Sequence, residues 1–492
     1  MDFDAPALFG TVLVDATWDN PNFWYRFSLL RGALGLHKSK EVGIVGPWNI
    51  NSSIKSLKNL GIRTVERNVG SPKRRHVTEA AEILAGIKSQ EDFLSVKLPY
   101  DLPADVTLYD GVLARQKKET VDLDDPMLVD YVAEAISTFE RNHRLLVEHK
   151  PSLVILSHSA NFFAASLAVL ACQMGIQVIQ HNGDYGVLRF SKIRDPKDIY
   201  DFYDTISIDD IHKLSNEKQT QLLQLGAQYI KDRLGGKTND YGAQLSYNKR
   251  DELIDKAAIC KHFGWSEDKP IVGIYASNWF DFPHTVGMSH FTDFYDWILE
   301  TYRVAVDTPE IQWLFKSHPC DAWYGGVTLE DVLDGTSAPN IRLANTKWNG
   351  RTMIDSIDAF VTYHGTIAIE AAVCRKPVMV ADRGWYHHGG FAKWPSSRED
   401  YLGALKTHWW TEIDRDQAAQ NASMFAGMFY CVSDEDKEIQ MVEDIHKDII
   451  YKTLPTFLSE GKETLIKEMQ LIRNWYVSDS PYFHPYKMSQ VG

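Results

Sequence analysis

The chain has 492 residues, 44% of them apolar and 12% aromatic, with a formal net charge of −14. That length exceeds what one hydrophobic core serves and predicts two or three domains. The acidic balance argues against nucleic acid as a partner, because phosphate backbones need basic surface; a small anionic ligand stays open wherever cations cluster locally.

No stretch approaches the ~18 consecutive apolar residues that span a bilayer. The start, Met1-Asp-Phe-Asp-Ala-Pro6, lacks the charged-then-apolar order of a signal peptide, so a cytoplasmic protein is expected. The five cysteines, Cys172, Cys260, Cys320, Cys374 and Cys431, show no C-x-x-C spacing and read as free thiols. With no zinc knuckle, H-E-x-x-H or dense Asp loop, neither an intrinsic metal nor a cofactor is expected. The basic run Ser71-Pro-Lys-Arg-Arg-His76 reads as a solvated loop.

In chain order, Gly10-Thr-Val-Leu-Val-Asp15 is a short apolar strand, followed by a helical pattern from Phe23 to Leu36. A strand at Glu41 to Val45, a helix from Ser52 to Leu60, a strand from Arg63 to Arg67 and a helix from Val77 to Ile87 continue the alternation. Strands alternating with helices predict a parallel sheet in an α/β layer. Residues 90–128 are less regular. A long amphipathic helix from Leu128 to Glu148 then feeds a strand from Leu153 to Ser157, a helix from Phe162 to Met174 and a strand from Gln177 to Gln180. His158 follows the first of these strands and His181-Asn-Gly-Asp-Tyr-Gly186 the second. Ligands of open α/β sheets collect at such carboxyl ends, which makes His158, His181 and Asp184 acid–base candidates; Asn-Gly and Asp beside Gly are equally ordinary turn formers.

Helices around Ser207–Leu234 lead to Gly235-Gly-Lys-Thr-Asn-Asp-Tyr-Gly242, whose glycines and polar residues predict an interdomain linker. Its Gly-Gly-Lys-Thr lacks the first glycine of a phosphate loop and follows no strand. The expected organisation is a first Rossmann-like domain over 1–245, a second over 246–430, and C-terminal helices over 431–492 that cross back to the first.

The second layer runs through a helix from Arg250 to Phe263, a strand from Pro270 to Ala276, a helix from Phe291 to Val306, a strand from Gln312 to Lys316, a short strand from Asn340 to Leu343 and a helix from Thr352 to Ile357. Its centre is Phe360 to Asp382, which reads strand, turn, helix, turn, strand: the apolar run stops at His364-Gly365-Thr366, a helix carries Glu370, Lys376-Pro377 ends it, and Val378 starts a buried strand. Free N–H groups at that helix start attract anions, and Glu370 could accept from ribose hydroxyls or simply be a favourable first-turn acid. Four strand ends can share one edge: Ser277 and Asn278, Lys316 and His318, His364 to Thr366, and Asp382 to Tyr386. Together they offer a cation, a histidine and hydroxyls of the kind that suit the phosphate and ribose of a nucleotide.

Trp279-Phe-Asp281, the Trp297-Ile298 helix, Lys316-Ser-His-Pro319, the Gly365-Thr366 to Glu370 helix, Lys376-Pro-Val378 and Tyr386-x-x-Gly-Gly-Phe391 occur in that order. Over residues 265–430 this ordered set resembles the capsule polysaccharide biosynthesis proteins, GT-B glycosyltransferases that include enzymes using CMP-activated Kdo. The resemblance implies two Rossmann-like domains facing across a cleft, donor nucleotide in the C-terminal one and acceptor in the N-terminal one. It places the family's His-Pro on His318 and Pro319, with the histidine on donor phosphate, the helix start on Gly365 and Thr366, and the helix glutamate on Glu370. Ser317 separates Lys316 from His318, and Arg375 stands where the family commonly has glycine.

The leading expectation is thus a metal-independent glycosyltransferase moving a sugar from a nucleotide donor, with a CMP-sugar favoured and UDP- or GDP-sugars open, to a surface or capsular glycan or glycolipid. The donor would be held by Ser277, Asn278, Lys316, His318, His364, Gly365, Thr366, Glu370 and Tyr386, and Asp184 or His181 would act on the acceptor hydroxyl. Peripheral association with membrane glycan-assembly machinery is left open. Two alternatives use the same fold: a sugar-nucleotide epimerase or hydrolase, and a non-catalytic glycan-binding or assembly protein.

Overall fold

The computed structural model describes residues 9–19, 21–47, 49–181, 190–200, 206–238, 240–248, 250–335, 338–431 and 462–484. The described strands are, in chain order, β1 (Thr11–Asp15), β2 (Lys40–Val45), β3 (Thr64–Arg67), β4 (Leu153–Leu156), β5 (Gln177–His181), β6 (Phe190–Ile193), β7 (Ile271–Tyr275), β8 (Gln312–Lys316), β9 (Ile341–Leu343), β10 (Ala359–Thr362), β11 (Val378–Val380) and β12 (Tyr482–Phe483). They form two sheets, one in each of two compact units. The first unit holds Met1–Arg115, Leu123–Phe202 and Asp434–Gly492; the second holds Gln116–Asp122 and Tyr203–Ser433.

The first sheet has the order β12-β6-β5-β4-β1-β2-β3. Its neighbours are parallel except where β6 runs antiparallel to β5 and to β12. The second sheet, β11-β10-β7-β8-β9, is parallel throughout. Strands β4, β10 and β11 are buried along their whole length, as parallel strands covered on both faces must be. The protein is therefore α/β with two parallel-dominated, Rossmann-like sheets. The sequence pattern shows every parallel strand and misses the two that pair antiparallel, β6 and β12.

In the first unit the Pro21–Leu34 helix lays Phe23, Phe27 and Leu30 on the sheet. The Lys462–Val477 helix joins this core through Leu465, Met469, Ile472 and Trp475, and the indole of Trp475 stacks on Phe190 of β6. Glu468 on the same helix is 2% exposed, and its Oε1 makes no hydrogen bond among the described residues. Burial pushes its carboxyl from the ordinary 4.5 up to about 8, against the pull of Arg26. Folding then takes up a proton between those two values, so stability should fall as pH rises through that window. Glu468→Gln removes the cost: its unfolding midpoint should exceed the wild type's at pH 8.5 and match it at pH 4, as a thermal series across pH would show.

Residues 203–245, expected with the first domain, belong to the second unit, and the stretch expected to be a linker is part of its packing. The cause is non-local. The Asn216–Leu234 helix crosses the Arg415–Tyr430 helix backbone to backbone: a Cβ on Gly226 would sit 1.9 Å from the Ser423 carbonyl oxygen, and one on Gly427 2.1 Å from that of Leu222. Tyr229 and Tyr430 stack beside the crossing at 4.5 Å. Gly427→Ala must push these helices apart; a loss of about 3 kcal/mol, the upper end for overpacking, is expected in denaturant unfolding of the second unit.

Candidate active site

In the second sheet, Lys316 of β8 lies opposite Tyr275 of β7, Tyr275 opposite Thr362 of β10, and Thr362 opposite Val380 of β11. Neighbouring strands are ~4.8 Å apart, which puts the Lys316 and Thr362 backbones roughly 10 Å from each other. The residues that follow each strand, Ser317 and His318, Ser277, His364 to Thr366, and Asp382, are thereby delivered to one carboxyl edge.

Lys316 makes no hydrogen bond or ion pair among the described residues; its ammonium lies 5.9 Å from the centroid of the Tyr275 ring. Removal from water holds it below the ordinary lysine range, while the carboxylates of Glu330, Asp251 and Asp321 pull the other way. His318 accepts a hydrogen bond on Nδ1 from the Cys320 N–H at 3.3 Å, so Nε2 carries the ring proton. Burial, with Lys316 adding to it, pushes His318 down to about 4. At neutral pH this edge thus presents one desolvated ammonium and one neutral N–H donor, a pair suited to phosphate oxygens.

The helix start contributes less than expected. The Ile367–Val373 helix has seven residues, Thr366 makes no side-chain cap, and the N–H groups of Ala368, Ile369 and Glu370 already donate to the Gly365 and Thr366 carbonyls. Gly365 is required by crowding: a Cβ would meet Thr362 Oγ1 at 2.8 Å. His364 packs on Phe294; burial pushes it to about 4 against the pull of Asp382, and its Nδ1 makes no hydrogen bond among the described residues. At the far end of the helix, Arg375 occupies left-handed backbone with φ 59°, which explains why glycine suits this position.

Three expected donor ligands are otherwise engaged. Glu370 is 3% exposed; its Oε1 accepts from Arg233 Nε at 2.6 Å and its Oε2 from the Tyr247 hydroxyl, which leaves it embedded in an ion-pair network instead of facing ribose. Arg233 also donates to Asp240 at 3.0 Å. Burial disfavours the guanidinium charge, but Glu370 and Asp240 together hold Arg233 well above its ordinary range. Asn278 is 3% exposed and donates to Asp321 at 2.9 Å, an anchor whose carboxyl burial pushes up to about 6. Tyr386, 1% exposed, donates to the Gly365 carbonyl at 2.9 Å and so braces the turn from behind. Ser277 is partly exposed two residues after the end of β7. Asp382 is fully buried and accepts from the Ser289 and His290 N–H groups and from the Tyr363 hydroxyl, which fixes the 289–290 loop at the same edge.

Sequence reasoning overlooks Arg233 and Tyr275. Arg233 lies at the end of the helices read around Ser207–Leu234, and nothing local marks its partner 137 residues away. The Tyr275 hydroxyl makes no hydrogen bond among the described residues, and its place as the polar tip of an apolar strand is the signal that could have found it.

In the first unit, His181 is not an accessible base. It is 2% exposed, its Nε2 pairs with the guanidinium of Arg26, and the Phe23 and Phe190 rings stand edge-on to it. Asp184 lies outside the described residues. His158, partly exposed at the carboxyl end of β4, stacks on Trp18. No group of histidines, cysteines and carboxylates that could hold a metal occurs among the described residues, and no described helix is long and apolar enough to cross a membrane.

No family model and no curated protein matches the chain. Solved structures do. UDP-GlcNAc 2-epimerase from Neisseria meningitidis bound to UDP-GlcNAc is 10% identical over 85% of this chain and 96% of that one, at a TM-score of 0.25. Anabaena Alr3699/HepE in complex with UDP is 11% identical over 92% and 99%, at 0.28. Thermosulfurimonas dismutans KpsC, a beta Kdo 2,4 transferase, is 12% identical over 53% and 80%, at 0.33.

Proposed function

We propose that the chain is a GT-B glycosyltransferase whose second unit holds a nucleotide-sugar donor. The observation that carries the reading is the pair at the β8 end: Lys316, with no carboxylate bonded to it among the described residues, beside a neutral His318 whose Nδ1 is taken by the Cys320 N–H and whose Nε2 carries the proton. A diphosphate or monophosphate leaving group gains negative charge as the glycosidic bond breaks, and Lys316 is placed to take it up. This lysine supplies the charge a divalent cation supplies elsewhere, so the reading needs no metal. Ser277 and His364 line the same edge and serve ribose or sugar hydroxyls. The ordered motifs of residues 265–430 favour a CMP-sugar such as CMP-Kdo over UDP- and GDP-sugars, and a surface or capsular polysaccharide as acceptor.

The test is a calorimetric and thermal-shift panel of CMP, UDP and GDP on the full chain. One nucleotide should bind and, at ~100 times its Kd, stabilise the protein by about 2.7 kcal/mol. Failure of all three overturns the donor site. Quantitative epimerisation of a sugar nucleotide without acceptor overturns transfer while keeping the site.

A further inference from the structure

A cavity of about 220 Å³ opens at the amino end of β5, the edge of the first sheet opposite His158 and His181. That volume lies below the ~300–1,000 Å³ of drug-sized sites, so the cavity suits a single ring. β5 brings Gln177 and Ile179 to it. β6, antiparallel to β5 with Ile193 opposite Val178, brings Lys192 and Ile193 and runs on into Arg194. The end of the Lys462–Val477 helix closes it with Tyr476 and, one residue past the helix, Ser478. Gln177 and Arg194 are exposed at the rim, and Lys192 is half-buried inside.

The polar side chains of this cavity have donors to spare. An ammonium carries three N–H groups, and Lys192 gives two of them to carbonyls, that of Trp475 at 2.9 Å and that of Ser478 at 2.6 Å. Its Nζ also lies 4.9 Å from the centroid of the Trp475 ring. A guanidinium carries five, of which Arg194 Nη1 gives one to the Asp479 carbonyl at 3.2 Å. Gln177 Oε1 accepts from the Tyr476 hydroxyl at 2.5 Å, which orients the amide and leaves its NH2 unbonded among the described residues. The carboxylates close by in sequence are spent on backbone: Asp198 Oδ2 accepts from the Arg194 and Asp195 N–H groups, and Asp195 Oδ1 from that of Lys197.

The charge balance is lopsided in the same sense. Removal from water brings the Lys192 ammonium from 10.5 down to about 8, with Arg194 pushing the same way and Asp479 opposing. Two cations thus face one cavity with carbonyls as their only bonded partners among the described residues. The partner this arrangement lacks is an anion. A guanidinium fork matches the two coplanar oxygens of a carboxylate, while the Ile179, Ile193 and Tyr476 walls match an apolar or ring-shaped body behind it.

We infer that this cavity binds a small carboxylic acid of one-ring size, its carboxylate held by Lys192, Arg194 and the Gln177 amide and its body set against Tyr476 and Ile193. The site lies wholly within the first unit and stands apart from the donor reading above. Its occupant bridges β6 and the end of the Lys462–Val477 helix, and so stabilises the folded unit by mass action.

Calorimetry and thermal unfolding of the full chain test this with glucuronate and benzoate, their neutral counterparts glucose and benzyl alcohol, and inorganic phosphate. At least one acid should bind with a Kd below ~1 mM and raise the unfolding midpoint, with its neutral counterpart at least tenfold weaker. Both acids are ionised throughout the range of interest, so their affinity follows the lysine: it should fall about tenfold from pH 7 to pH 9, as the ammonium loses its proton around 8. Lys192→Met keeps the stem over Trp475 and should weaken the acid at least tenfold and abolish that pH dependence. Arg194→Gln changes an exposed residue and should weaken it at least fivefold; should the methionine variant not fold, this variant and the wild-type pH series decide. Failure of both acids to bind overturns the inference. So does equal binding of an acid and its neutral counterpart, or an acid affinity unchanged in the folded variants. Binding of phosphate with neither acid bound overturns the carboxylate assignment.

Discussion

Replacing Lys316 by Met should weaken nucleotide binding about 10- to 100-fold while leaving the unfolding midpoint at or above that of the wild type. Methionine keeps the aliphatic stem over the Tyr275 ring and removes only the charge. A hydrogen bond from a charged donor is worth about 1.5–3 kcal/mol, which sets the loss in affinity. Because no carboxylate is bonded to Lys316 among the described residues and loss of water outweighs the pull of the nearby carboxylates on its charge, the folded state gives up little when the ammonium goes. Binding and stability therefore move in opposite directions, which separates a ligand-facing lysine from a structural one. Calorimetry with CMP, UDP and GDP, paired with thermal unfolding, checks both. Unchanged affinity would remove Lys316 from the site; a large drop in midpoint would mean that its charge is structural.

Arg233→Met should destabilise the second unit by about 3–5 kcal/mol, the cost of leaving one partner of a buried ion pair alone. The stranded group is Glu370, 3% exposed, with Oε1 at 2.6 Å from Arg233 Nε. Asp240 loses its partner as well, but sits nearer to water. Adding Glu370→Gln neutralises the stranded carboxylate and should recover most of the loss, since the two residues share one contact and their effects are not additive. Denaturant unfolding of the two single variants and the double measures this. The double variant also decides what Glu370 is for. If its carboxylate served ribose, nucleotide affinity would fall along with the charge; with both oxygens given to Arg233 and Tyr247, affinity should stay within about threefold.

The parallel strands of both sheets were legible in the sequence because apolar, β-branched runs bounded by Gly, Pro and Asp are local signals. Gly10-Thr-Val-Leu-Val-Asp15, Leu153 to Ser157, Gln312 to Lys316 and Phe360 to Asp382 could be read one at a time, and the rule that ligands gather at carboxyl ends pointed to Lys316, His318, His364 and His158 without any contact being known. The tertiary structure decided what those residues face. Register placed Lys316, Tyr275 and Thr362 in one row. An arginine 137 residues from Glu370 pairs with its carboxylate, and an arginine 155 residues from His181 pairs with that histidine in the core. Two glycines, Gly226 and Gly427, let the Asn216–Leu234 and Arg415–Tyr430 helices approach backbone to backbone within the second unit. Periodicity and turn chemistry are properties of neighbours along the chain, whereas which carboxylate meets which cation is settled only when strand order and helix crossings bring distant residues within hydrogen-bond reach.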